Sequence, residues 1–145
     1  MRATIHCLAL ATLACLSASA TADDADAIDY RKHVMNTLGE QLAAVDMIVA
    51  KKAPADSFAV HVKTLAIAAS QAKLAFQPEI AGGSSKPQVW SNWADFSKRL
   101  DAMVAAANQL ATEAKGGNVA AVGPKIRTAM DCDGCHKVYM VAGKT

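Results

Sequence analysis

Aromatic side chains are scarce in this chain, with three Phe, two Trp and two Tyr among 145 residues. Alternating runs of β-branched and polar residues, the mark of half-buried strands, are missing as well. Neither sign of charge dominates: 15 Lys and Arg stand against 13 Asp and Glu. That balance gives no sign of a nucleic-acid or membrane-surface partner. Beyond the N-terminal segment, no apolar run approaches the roughly 20 residues that a membrane-spanning helix needs. There is no Ser/His/Asp set and no pair of carboxylates on one helical face, so the chain is not expected to be an enzyme. Alanine is plentiful instead, and the composition is that of an all-α protein.

Cysteine is also sparse. Of four in the sequence, Cys7 and Cys15 fall in "MRATIHCLALATLACLSASATA". One early Arg, an apolar run from Cys7 to Leu16 and small residues after it form the layout of a secretory signal peptide. Ala20-Thr21-Ala22 offers the cleavage site. Residues 1–22 are therefore expected to be removed on export to the periplasm. Residues 23–145 remain as one soluble domain with no membrane anchor, enough chain for a single core. Loss of Arg2 lowers the net charge from +2 to +1. Cys132 and Cys135 are the thiols left.

Helical periodicity places four segments. The first runs from about Asp26 to Val49, with Ile28, Met35, Leu42 and Val49 inward and Leu38 and Val45 between them. Acidic residues at its start suit the helix dipole. "KKAPADS" interrupts the chain, with Asp56 or Ser57 as cap of a second helix whose inner face is Phe58, Val62, Leu65, Ala69, Ala72 and Phe76. After the loop "QPEIAGGSSKP", a third helix spans about Pro87 to Lys115, with Val89, Trp93, Phe96, Leu100, Met103, Ala107 and Leu110 inward. Gly116 and Gly117 stop it. The fourth begins near Asn118, and Gly123-Pro124 should kink or split its early part. Short connections favour an antiparallel up-down four-helix bundle.

"DCDGCHKVYM", residues 131–140, carries the chemistry. Structural zinc would need a second Cys/His pair at ligand spacing, and none is present. A thiol redox pair belongs at a helix N-terminus in a βαβ setting, not near the end of an all-α chain. A local disulfide is the plain alternative. His136, directly after the second Cys, points elsewhere. Two thiols three residues apart reach the two vinyl carbons on one porphyrin edge, and the next residue offers its imidazole to iron. One covalent haem c on Cys132 and Cys135, with His136 as proximal ligand, is the expectation.

The first helix completes this reading. Met35 lies seven residues in, about 10 Å from the start, level with His136 on an antiparallel neighbour. It is the candidate distal iron ligand. His33 points about 160° away and reads as a surface residue. His61 reads as a packing histidine, and Trp90 and Trp93 as packing side chains. Arg31 occupies a seam position one turn before Met35, where a charge is costly unless paired. A haem propionate would be its partner.

"IDYRKHVMNTLG", "KPQVWSNWADF" and "CDGCHKVYM" resemble, in that order, the cytochrome c′ family, the class II c-type cytochromes. The resemblance covers the whole mature chain. It implies a propionate role for Arg31 and, where relatives usually have Gln, a weaker one for Lys32. Ser84 replaces an acidic residue of some relatives, and Met140 stands where relatives often place a basic one; neither role is carried over. The distal Met looks more like the low-spin, Met-ligated branch, which implies an electron carrier serving soluble redox proteins. The alternative is a five-coordinate protein that binds nitric oxide or carbon monoxide, with Met35 as a lid that does not ligate. Related proteins often form homodimers through the first two helices.

Overall fold

A computed structural model describes residues 23–143, and the expected signal peptide lies outside the described residues. Six helices follow one another: α1 (Asp24–Val49), α2 (Phe58–Phe76), α3 (Gln88–Ser91), α4 (Trp93–Glu113), α5 (Val119–Met130) and α6 (Cys132–Tyr139). The long ones form a ring in which α1 packs on α2, α2 on α4, α4 on α5 and α5 back on α1. This is the antiparallel up-down four-helix bundle.

Helix α1 is capped by Asp23, whose carboxylate accepts from the Asp26 N–H at 2.9 Å. Its buried line is Arg31, Val34, Leu38, Leu42, Val45 and Ile48. Seven-residue steps from Ile28 had pointed to Val49, which is 38% exposed. Ile48, at 4% exposure, closes the buried line in its place. The expected inner face of α2 is buried throughout, including Phe58 and Val62 at 0% exposure. Its expected cap is not formed. Ala55–Ser57 make a turn of 3-10 helix running directly into α2, and Ser57 makes no capping hydrogen bond.

Two breaks fall where periodicity gave no warning. The third helix is interrupted at Asn92 (φ −125°, ψ 45°), which separates α3 from α4. The fourth is unbroken at Gly123-Pro124 and broken at Asp131, which is left-handed at φ 44°. Gly123 is helical although it precedes a proline, having no Cβ to clash with the Pro124 ring, and a Cβ there would also lie 2.6 Å from Val49 Cγ2. Pro124 sits inside α5 and removes one i→i−4 bond there. Asp is among the few side chains that tolerate the left-handed region. Its turn redirects the chain: α5 packs on α1 and α4, whereas α6 packs chiefly on α3 and α4. The segment bearing the cysteines thus leaves α1, and space opens between them.

Candidate haem site

That space is a cavity of about 600 Å³, a size typical of cofactor pockets. Cys132, Cys135 and His136 line it from α6, and Arg31, Lys32 and Met35 line it from α1. All six residues singled out in the sequence therefore meet in one place. Met35 is half-buried and packs on the core, with Leu38 and Leu42 continuing its wall. Met103 and Met130 also reach the cavity. His33 is exposed, and His61 Nδ1 hydrogen-bonds Gln41 Oε1 at 2.9 Å between α2 and α1. Neither histidine lines the cavity.

Arg31 is the one buried charged residue among those described, at 3% exposure. Its Nη1 donates to the Ile80 carbonyl at 2.7 Å. Its guanidinium stands 5.1 Å from the Trp90 ring and 5.5 Å from the Phe76 ring, within cation–π range. Trp90 is fixed in turn by an Nε1–H bond to the Phe76 carbonyl at 3.1 Å. Burial pushes the Arg31 pKa down from its ordinary value. Nη2 is buried with no partner. An orphaned cationic donor beside a cavity wants an anion, and a carboxylate of a bound group meets that need.

Both cysteines are unpaired and partly exposed, so no disulfide closes the motif. Burial pushes both thiols up, with Asp133 adding to this at Cys132 and Arg99 opposing it at Cys135. Gly134, between them, is compact for a reason, since a Cβ there would collide with the Asp131 carboxylate. The loop before α3 holds the far end of α6. Lys86 N–H donates to the Tyr139 carbonyl at 2.9 Å and Val141 N–H to the Ser84 carbonyl at 2.8 Å. Lys86 Nζ reaches the Lys137 and Val138 carbonyls at 3.2 and 3.1 Å, a cation at a helix C-terminus. Gly82 and Gly83 turn this loop at φ 132° and 64°, and Ile28 occupies the room their missing side chains leave.

Sequence reasoning missed a cluster on the α4 side. Tyr139 Oη donates to Asp95 Oδ2 at 2.6 Å, Arg99 Nε donates to the same oxygen at 2.7 Å, and Asn92 Nδ2 donates to Tyr139 Oη at 3.3 Å. The i,i+4 spacing of Asp95 and Arg99 was a legible signal. Their meeting with Tyr139 was not.

The cysteines, the imidazole, the buried Arg and the cavity fit a covalent haem. The family model for cytochrome C' matches residues 26–140. The chain belongs to the cytochrome c′ family. Members carry a covalently attached c-type haem, and the same group is the cofactor here. The chain is 31% identical to a cytochrome c′ of Rubrivivax gelatinosus over 121 residues, covering 79% of this chain and 93% of the relative. A cytochrome c′ of Alcaligenes xylosoxydans xylosoxydans is 26% identical over 121 residues, covering 79% and 92%. Among solved structures, cytochrome c′ from Rubrivivax gelatinosus superposes with a TM-score of 0.72 at 26% identity, covering 81% of this chain and 97% of that one. The nitric oxide complex of a cytochrome c prime mutant from Alcaligenes xylosoxidans gives 0.70 at 25% identity, covering 83% and 98%. A carbon monoxide-bound variant of the same cytochrome gives 0.69 at 25% identity, covering 82% and 97%. These relatives lend no support to the Met-ligated, low-spin branch that the distal Met suggested.

Proposed function

We propose that this protein is an exported, periplasmic monohaem cytochrome c′ that binds nitric oxide or carbon monoxide at an iron held by His136, with Met35 as a lid that does not ligate. The observation that carries this reading is the wall of Met35, Leu38 and Leu42, which faces the Cys132, Cys135 and His136 segment across the cavity. The relatives solved with nitric oxide and carbon monoxide support it.

Cys132 and Cys135 would hold the haem by thioethers, and the bound group would supply an iron able to take up a diatomic gas. The remaining work belongs to side chains. His136 follows Cys135 directly and offers its imidazole on the α6 side. Arg31 offers its unpartnered Nη2 to a propionate, and exposed Lys32 adds a second cation beside it. Met35 and its two leucine neighbours present thioether and hydrocarbon, with no hydrogen-bond donor. An apolar wall of this kind would suit a small uncharged gas such as nitric oxide or carbon monoxide.

The competing reading is the electron carrier, in which the Met35 sulfur binds iron. Its support is that this thioether already lines the cavity. Absorption spectra of the ferric holoprotein separate the two. The gas-binding reading expects a high-spin spectrum without a sulfur-to-iron charge-transfer band, and uptake of carbon monoxide by the ferrous form. Met35→Ala should then speed that uptake without changing the spin state. A low-spin wild type that loses its band in Met35→Ala would restore the electron carrier.

A further inference from the structure

Three cationic side chains line the cavity: Arg31 and Lys32 from α1, and Arg99 from α4. The first two are accounted for by a propionate. Arg99 is not. Its Nε is committed to Asp95 Oδ2, and its guanidinium rests 5.9 Å from the Tyr139 ring centroid. Tyr139 is itself immobilised. It is 3% exposed, its hydroxyl is tied to Asp95, and its ring meets Phe96 edge-on at 5.0 Å. Tyr139 follows His136 by three residues, so the two share one face of α6. Arg99 is thus gripped on one side by its own helix and on the other by the helix that bears Cys135 and His136.

The ion pair has a direction. Arg99 lines the cavity and Asp95 does not, so the pair presents its positive end inward. A half-buried charge there is screened less than one in open water. Ferric haem carries one more positive charge than ferrous haem, and a fixed cation nearby disfavours the ferric state.

We infer that Arg99 is a positioning residue of the His136 side: a cation clamped by Asp95 and Tyr139 against the haem-bearing helix, which biases the iron toward the ferrous form. This rests on the haem being held at Cys132, Cys135 and His136, and it is independent of whether Met35 ligates.

The test is a pair of near-isosteric variants, Arg99→Gln and Asp95→Asn, each titrated as exported holoprotein by spectroelectrochemistry at neutral pH. Losing the cation should lower the midpoint potential, and losing its counter-carboxylate should raise it. Arg99→Lys should restore most of the wild-type value. Loosened packing that admits water would move both variants the same way. Shifts of the same sign, or no shift, would therefore overturn the inference and leave the cluster as a brace. Should Arg99→Gln fail to take up haem, Asp95→Asn decides by its sign: a raised potential, with Arg99→Lys near the wild-type value, supports the inference, and a lowered or unchanged one overturns it. Mass spectrometry of the denatured wild type runs alongside. Absence of an added haem mass would overturn the site reading itself, and this inference with it.

Discussion

The two ends of the bundle use the same helices in opposite ways. At one end Val45, Ile48, Phe58, Val62, Val122 and Ile126 are each no more than 4% exposed, and hydrocarbon meets hydrocarbon. At the other, α1 and α6 stand apart around about 600 Å³, with a buried Arg and two free thiols on the walls. One end is finished by protein alone. The other is shaped for a group that the chain does not encode.

Removing that group should produce the largest effect. Without haem, the apolar walls around about 600 Å³ lose the partner atoms that a bound group supplies. The haem-free Cys132→Ser/Cys135→Ser protein is therefore expected to collapse or melt locally. Hydrogen exchange should show lost protection across 31–38 and 130–139, while 45–48 and 62–66 stay protected. Uniform protection along the chain would erase the contrast between the ends.

Single truncations sharpen the comparison at the next scale. Phe58→Ala, at a fully buried position, should cost about 3–5 kcal/mol in chemical denaturation of the holoprotein. Met35→Ala faces the cavity and loses only part of its contacts, so a cost below about 2 kcal/mol is expected. Equal costs would mean that the cavity wall is packed as tightly as the core.

The smallest effect lies in acid. The Tyr139 hydrogen bond, then the Arg99 ion pair, hold the Asp95 carboxyl below its ordinary pKa of 3.8. A depressed folded-state pKa adds stability above the unfolded value and loses it as pH falls through the folded one. The contribution is thus complete at neutral pH and fades below about pH 4. Asp95→Asn should flatten that part of the stability-versus-pH curve. At the packed end Glu113 is depressed by Gln109 and Lys125, so Glu113→Gln should flatten the curve in the same acid range. An acid limb unchanged in both variants would assign acid sensitivity to other groups.

Much of the site was legible because its chemistry is local. The motif around Cys132, Cys135 and His136 needs only the spacing of neighbours in the chain, and Arg31 betrays itself as a charge on an apolar stripe. Arg99 and Tyr139 were illegible for the converse reason. They lie 40 residues apart, each looks like an ordinary helix residue, and only packing of α4 on α6 joins them. The misplaced kink has the same origin. Gly123-Pro124 is a local breaker, yet α5 runs through it unbroken, with Val49 of α1 packed against Gly123. Asp131 breaks the helix although nothing in its immediate sequence demands it.

Hydrophobic periodicity by itself determined four helical stripes, hence the all-α bundle, and residue spacing determined which group the thiols and imidazole could take. Those are properties of neighbours three or four positions apart, and they hold wherever the helix lies. Whether α6 follows α5 along α1 or leaves it was decided only by the tertiary structure. The left-handed turn at Asp131 and the contacts of α6 with α3 and α4 set that direction. The cavity, the distance kept between Met35 and the haem-bearing helix, and the cation on the α4 side all follow from it, because each depends on where a second helix stands.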